Sequence, residues 1–283
     1  MKFPQFREWL SLPPPGQRNR TLVMGILNVT PDSFSDGGQF VRVRSAVEQV
    51  RSMIEGGADL IDIGGESTRP GSLPVSNYEQ INRVVPVIEA IRNVFDIALS
   101  IDTTQSQVAR VALDAGANVI NDISAGRDDE QMFKLAAEKQ CPIILMHMQG
   151  TPATMQLNPQ YTDVVREVKE FLLQRAQLAQ TNGVQLADVL LDPGIGFGKT
   201  DDHNLQLLAQ LESLTQAGGP LVVGTSRKGF IGRITGEKDA SQRVFGTAAT
   251  VAWCVEHGAS IVRVHDVKEM AAVVRMTAAL AAK

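Results

Sequence analysis

The stretch GILNVTPDSFSDGG, Gly25 to Gly38, begins as an apolar run and turns polar at Asn28. It goes on through Asp32 and Ser33 to a lone aromatic, Phe34, and then to Asp36, Gly37 and Gly38. Seven more apolar runs end in the same way. They close on Glu66-Ser67-Thr68-Arg69, Asp102-Thr103-Thr104, Asn121-Asp122, His147 with Gln149, Asp192, Ser226-Arg227-Lys228, and Arg263 with His265 and Asp266. One such residue is readily a cap that satisfies backbone groups at a strand end. Eight successive runs ending in carboxylates, amides and cations exceed what capping requires.

These residues sort into two chemistries. Asn28, Arg69, Arg263 and His265 suit an anion, because guanidinium forks match phosphate oxygens two at a time. Arg263 and His265 lie two apart on one strand and so point the same way; an internal ion pair of Arg263 with Asp62 or Glu66 is the structural alternative. Asp102, Asn121, Asp192 and Lys228 suit a flat heterocycle. A carboxylate accepts parallel N–H bonds, an amide meets a mixed donor and acceptor edge, and a lysine donates to ring oxygen or nitrogen. Met146 and Phe197 can sandwich such a ring, or they can be ordinary core residues.

Something must bring these runs to one place. Each is short, β-branched and almost continuously apolar, as parallel strands buried on both faces are: TLVMGILNV, DLIDIGG, IALSIDTT, NVINDIS, PIILMHM, VLLDPG, PLVVGTS and SIVRVHD. Amphipathic helical patterns alternate with them at Val43–Glu55, Tyr78–Asn93, Gln105–Asp114, Asp129–Lys139, Tyr161–Asn182, Asp202–Gln216, Ala240–His257 and Val267–Ala282. Several end on EGGAD, DAGAN or EHGAS, where the glycine supplies a left-handed cap before the next strand. Eight strand–helix units without a composition break predict an α/β fold, a single-domain (β/α)8 TIM barrel. An open doubly wound sheet is the runner-up, weakened by the lack of a Gly-x-Gly-x-x-Gly turn into the first helix. In a barrel the strand C-termini form the active face.

Bulk properties narrow the class. The 283 residues suit one such barrel, preceded by an N-terminal extension over 1–20, with the barrel at 21–283. Pro13–Pro15 predict a stiff spacer ahead of the fold. The net charge is -4, with both signs interspersed, which argues against a nucleic-acid surface. No run is long and apolar enough for a membrane helix, and residues 1–20 lack a signal-peptide core; a cytoplasmic protein is expected. Cys141 and Cys254 stand alone in apolar surroundings and are expected to be small buried hydrophobes.

The motifs GILNVTPDSFSDGG, IDIGGESTRPG, SIDT, INDI, LMHMQGTP, LLDPGIGFGK, GTSRKGFIG and IVRVHDV together resemble dihydropteroate synthase, the folate-pathway family targeted by sulfonamides. The likeness spans roughly Leu22 to Met276. It implies a transferase that joins 6-hydroxymethyl-7,8-dihydropterin pyrophosphate to p-aminobenzoate, releases pyrophosphate and uses Mg²⁺. By resemblance, Asp102, Asn121, Asp192 and Lys228 are the pterin ligands, with Met146 and Phe197 flanking the ring. Asn28, Arg69, Arg263 and His265 cradle the pyrophosphate, and Asn28 also meets the metal. Thr68, Pro70 and Ser226, with Phe34, form the aminobenzoate pocket. A homodimer is expected from the family alone. The pterin-binding module of a corrinoid-dependent methyltransferase is the alternative, although it needs no pyrophosphate cradle.

The reaction so implied needs no strong base, because an arylamine lone pair is free at neutral pH. The hard step is breaking the C–O bond to pyrophosphate, and the family is thought to do so by a dissociative, SN1-like route. Cations at the leaving group and a carboxylate near the pterin, Asp102, stabilise the separating charges. Lys228 and Asn28 belong to the same catalytic set. Phe34 would close over the site to exclude water, Gly37 and Gly38 would serve as hinges, and Asp36 would reach the metal or the developing cation.

Overall fold

The computed structural model describes residues 1–12, 20–30, 39–68, 71–215 and 218–282. Strands β1 (Leu22–Asn28), β2 (Leu60–Gly64), β3 (Ala98–Asp102), β4 (Val119–Asp122), β5 (Ile143–Met146), β6 (Val189–Asp192), β7 (Val222–Val223) and β8 (Ile261–Val264) pair in parallel. Their order is β6-β5-β4-β3-β2-β1-β8-β7, and a bridge between Leu191 and Leu221 joins the two ends into a ring. This is the (β/α)8 barrel expected from the alternation of apolar runs.

Eleven α-helices lie among the described residues: α1 (Phe3–Ser11), α2 (Gln39–Gly56), α3 (Asn77–Arg92), α4 (Ser106–Asp114), α5 (Gln131–Lys139), α6 (Val164–Thr181), α7 (Asp201–Ala209), α8 (Leu211–Thr215), α9 (Gly229–Thr235), α10 (Val244–Glu256) and α11 (Val267–Ala281). Gly57, Gly116 and Gly258, from the three repeated phrases, adopt φ of 107°, 117° and 84°, the left-handed turn that lets the chain leave a helix for the next strand. Two helices differ from the periodic pattern. The expected 202–216 helix breaks at Gln210 into α7 and α8. After β7 an additional helix, α9, precedes α10, which starts at Val244 rather than Ala240. Gly236 ends α9 at φ 80°, and the Arg243 guanidinium ties down the carbonyls of Glu237 and Lys238 in the intervening turn.

Along each strand one set of alternate residues packs outward against the helices, including Ile61, Ile63, Leu99, Ile101, Leu191 and Val264. The other set fills the barrel. Its lower layer is apolar: Leu22, Met24, Leu60, Ala98, Val119, Ile144, Leu190, Val222 and Ile261. Residues 1–20 stand apart from the barrel in the sequence, yet α1 forms its floor. Phe6 and Trp9 stack at 5.9 Å between centroids and, with Leu10, are buried against that layer. Met1 also accepts a hydrogen bond from the Ala98 amide at 2.9 Å, so the fold begins ahead of the prolines. Pro13–Pro15 lie outside the described residues. Cys141 and Cys254 are free and buried, with burial pushing both thiols up to about 12. Among the described residues no helix is long and apolar enough to cross a membrane.

Candidate active site

Two residues up from the apolar layer on β2, β3, β4, β6 and β8, the barrel interior turns polar. Asp62 on β2, paired in register with Ser100 on β3, is fully buried. It accepts from Ser100 Oγ at 2.5 Å, Asn121 Nδ2 at 3.0 Å and Arg263 Nε at 2.7 Å. The same guanidinium reaches Asp102 Oδ2 through Nη2 at 2.8 Å. Arg263 is therefore already engaged by two carboxylates. The ion-pair alternative from the sequence holds for Asp62 and not for Glu66, which instead accepts from the Val75 amide and from Gln80 Nε2.

This arrangement sets the charges. Burial, then the neighbouring Asp62, pushes Asp102 up to about 7, with Arg263 opposing. Burial would lower Arg263, but Asp62 and Asp102 hold it above its ordinary value, so it remains a cation. Asn121 is fixed with its N–H₂ toward Asp62, and its Oδ1 accepts no hydrogen bond from the described residues. That oxygen is left for a ligand's donor.

The opposite wall comes from the loops after β6 and β7. Asp192 is buried and accepts from the Gly194 amide at 2.7 Å; burial raises it, while that amide and then Lys228 draw it down. The Lys228 ammonium lies 4.0 Å from the Phe197 ring centroid and makes no hydrogen bond to the described residues. Burial, then Arg263, lowers Lys228 to about 8, with Asp192 and Asp102 opposing. Gly196, at φ 83°, leaves room for its stem: a Cβ there would stand 3.0 Å from Lys228 Cδ. Phe197 packs with Ile123, Met146, Met148 and Met155. Met146 and Phe197 are thus brought together in one apolar cluster, Met146 buried and Phe197 partly exposed.

At the strand ends Asn28, Gly64 and Asp102 share one register. A Cβ on Gly64 would meet Asn28 Oδ1 and Asp102 Oδ2, each at 3.8 Å, so the glycine leaves a notch between two oxygens. Ser226 Oγ lies 3.1 Å from His265 Nδ1 and accepts from the His265 amide, also at 3.1 Å. Burial, then Arg263, lowers His265 to about 3, so it is a neutral imidazole rather than a second cation. Thr68 lines a cleft of about 370 Å³ with Glu66, Ser67, Asp102 and Thr103. Arg69, Pro70, Phe34, Asp36, Gly37 and Gly38 lie outside the described residues.

Two expected strand-end residues face elsewhere. His147 is buried and bonded to Lys199, and Gln149 exchanges hydrogen bonds with Gln160 across a loop. Conversely, Asp62 bonds Ser100, Asn121 and Arg263 at the centre of the site, although the sequence offered it only as an alternative partner for Arg263. Asp62 had a signal: a carboxylate inside an apolar strand, one pleat below Gly64. Arg227 is spent locally, its guanidinium on Asp266 and its amide on Thr247 Oγ1, while it holds φ 59°.

The chain matches the pterin binding enzyme family over residues 24–265. It is 49% identical over 261 residues to dihydropteroate synthase of Synechocystis sp. (strain ATCC 27184 / PCC 6803 / Kazusa), spanning 92% of this chain and 90% of that one. The chain belongs to the dihydropteroate synthase family. The solved Xanthomonas albilineans dihydropteroate synthase with 4-aminobenzoic acid superposes with a TM-score of 0.88 at 44% identity, covering 93% of this chain and 94% of that one. The same enzyme in complex with 7,8-dihydropteroate gives a TM-score of 0.85 at 41% identity, covering 93% and 95%. Membership accounts for the position of the polar layer at the strand C-termini, where barrels of every chemistry place their active face.

Proposed function

We propose that this protein condenses 6-hydroxymethyl-7,8-dihydropterin pyrophosphate with p-aminobenzoate, yielding 7,8-dihydropteroate and pyrophosphate. The observation that carries the reading is the convergence of Asp102, Asn121 and Asp192 near the Phe197–Met146 cluster, with the Lys228 ammonium, unbonded among the described residues, over the ring of Phe197. Carboxylate and amide acceptors together with an ammonium around one space match an aminopyrimidinone edge and its carbonyl. Complexes solved for family members include those with 4-aminobenzoic acid and with 7,8-dihydropteroate.

In the reaction, the C–O bond between the pterin methylene and pyrophosphate breaks with its electron pair on the phosphate oxygen. The arylamine lone pair then forms the new C–N bond, and the surplus proton leaves to water. Arg263, with Arg69 and the neutral N–H of His265, receives the pyrophosphate. Asp102 stabilises the positive charge that grows on the pterin methylene. Ser226, Thr68, Pro70 and Phe34 form the aminobenzoate site, and Phe34 excludes water from the cation.

The notch at Gly64 fits Mg²⁺. Asn28 Oδ1 is a hard oxygen at this gap, the neighbouring Asp102 Oδ2 already accepting from Arg263, and magnesium commonly takes one or two protein oxygens with substrate phosphates and water. Asn28 would hold it, with Asp36 within the same loop, and the ion would neutralise charge on the leaving group.

The protein is also proposed to form a homodimer through α10 and α11. Phe245, Ala249 and Trp253 fall at i, i+4 and i+8 on α10 and are exposed, Phe245 by 86%. Met276 and Leu280 on the adjacent α11 are exposed too. An apolar stripe of this kind is a typical association surface. Light scattering should give a dimer for the parent and a monomer for Phe245→Glu; a parent that stays monomeric removes the proposal.

The function is tested by pyrophosphate release on mixing the two substrates. Release that requires p-aminobenzoate, with dihydropteroate formed in equal amount, is expected. Methyl transfer to a corrinoid, or pterin binding without turnover, would assign the barrel to another reaction.

A further inference from the structure

Lys199 closes the segment that begins at Asp192 and has no part in the chemistry above. It is 2% exposed. Its Nζ lies 2.9 Å from His147 Nδ1, 3.0 Å from the Gly194 carbonyl, 3.0 Å from the Phe197 carbonyl and 3.3 Å from the His147 carbonyl. All four acceptors are neutral and no carboxylate is bonded to it; burial lowers Lys199 to about 7, with Asp192 opposing, so its charge is expensive here.

The backbone explains why an ammonium sits there. Gly194 and Gly198 hold φ of 65° and 58°. A Cβ on Gly194 would stand 1.9 Å from the His147 carbonyl oxygen, and one on Gly198 would stand 2.3 Å from that of Gln149. The loops after β5 and β6 therefore run backbone against backbone, at a separation only glycine permits. Carbonyls from both loops turn into the seam at one point. A tetrahedral ammonium carries three donors and can satisfy carbonyls from both loops at once. His147 is kept neutral by burial and by Lys199, which leaves Nδ1 as an acceptor.

Each loop supplies part of the ring pocket. Met146 immediately precedes His147, and Asp192 accepts from Gly194, whose carbonyl Lys199 holds. Phe197, whose carbonyl Lys199 also holds, carries the ring beneath Lys228. We propose that Lys199 is a positioning residue for the pterin pocket: it stitches the β5 and β6 loops together so that Met146, Asp192 and Phe197 meet a bound ring in register. This rests on the pterin reading of the site.

The test compares the parent, Lys199→Met, Lys199→Gln and Asp192→Asn. Dissociation constants for the pterin substrate, KM for each substrate and melting temperatures are measured. Lys199→Met should weaken pterin binding and raise its KM about tenfold or more, since small misplacements around a reacting group cost up to roughly 10²-fold. The KM for p-aminobenzoate at saturating pterin should stay within about twofold. Lys199→Gln keeps two N–H donors and should recover part of the loss. Pterin affinity within twofold of the parent in a folded Lys199→Met overturns the proposal, as does an equal loss for both substrates or a glutamine no better than methionine. If Lys199→Met does not fold, the comparison passes to Lys199→Gln: selective pterin weakening supports the stitch, and parental affinity overturns it. Asp192→Asn separates the two claims. If it binds the pterin like the parent, the pocket reading fails and takes the stitch with it. If it loses the pterin while Lys199→Met does not, the stitch alone fails.

Discussion

Asp102→Asn should stabilise the protein increasingly as pH rises, while abolishing pterin binding. Asp102 is 8% exposed, and burial beside Asp62 raises it from 3.8 to about 7 despite the bond from Arg263. A carboxyl whose folded value exceeds its unfolded one binds more protons in the native state. Its contribution to stability is complete below about 4 and is lost as pH climbs through about 7. A shift of that size corresponds to roughly 4 kcal/mol between those limits, at 1.4 kcal/mol per pH unit. Asparagine has the same shape and no proton to lose, so the stability difference, variant minus parent, should rise by up to about 4 kcal/mol from pH 4 to pH 8. At roughly 2 °C per kcal/mol for a chain of this size, the melting temperatures should separate by about 8 °C more at the higher pH. Parallel melts of both proteins across this range cancel the titrating groups that do not interact with Asp102. A difference that does not change with pH refutes the reasoning. One that moves the other way shows that Arg263 holds Asp102 ionised as an ordinary salt bridge.

Arg263→Met leaves two buried carboxylates without their cation, so it should cost about 3–5 kcal/mol in denaturant unfolding near pH 8, less at pH 5, and weaken both pyrophosphate and pterin; calorimetry showing loss of pyrophosphate alone would place Arg263 outside the pterin side of the site. Phe6→Ala opens the barrel floor and should cost about 3–5 kcal/mol in urea unfolding with the substrate KM values unchanged. Phe34→Ala should raise the KM for p-aminobenzoate more than that for the pterin and divert pterin pyrophosphate to the free alcohol, measured by product partitioning; unchanged partitioning and KM would mean that this residue is neither wall nor lid.

The barrel was legible because its signal is repeated. Each strand is buried on both faces and so reads as an apolar run, and several helices return through a glycine with positive φ, as Gly57, Gly116 and Gly258 show. The residues that end the strands were legible for the same reason: at a C-terminal edge, polarity has nowhere else to go. What stayed hidden depends on contacts between distant segments. Helix α1 looks like a dangling extension because only the docking of Phe6 and Trp9 against eight separate strands makes it a floor. The α7–α8 break and the α9 insertion turn on single caps that a periodic pattern averages away. Lys199 was visible only as the end of LLDPGIGFGK, since the role proposed for it depends on carbonyls from loops about fifty residues apart in sequence.

Arg263 shows how a correct residue can be assigned an incomplete role. Strand parity places it inside the barrel pointing with His265, and anion binding follows from its chemistry. Parity cannot say which anion is nearer. Its partner in register on β1 is Met24, and the carboxylates it reaches, Asp62 and Asp102, stand on β2 and β3. The strand tilt of a closed barrel carries an arginine's reach across those neighbours. The guanidinium then links the two halves of the site. It holds Asp62, which fixes the Asn121 amide, and it opposes the rise of Asp102 that burial imposes. A pyrophosphate that draws Arg263 toward itself weakens its hold on Asp102, and a pterin that donates to Asp102 favours the ionised carboxylate and strengthens it. The two ligand groups are therefore coupled through one side chain, and the coupling must be reciprocal. Pyrophosphate affinity measured with and without the pterin should differ by the same factor as pterin affinity with and without pyrophosphate, and Arg263→Met should bring that factor close to one. A factor that persists in the variant would place the coupling in another element.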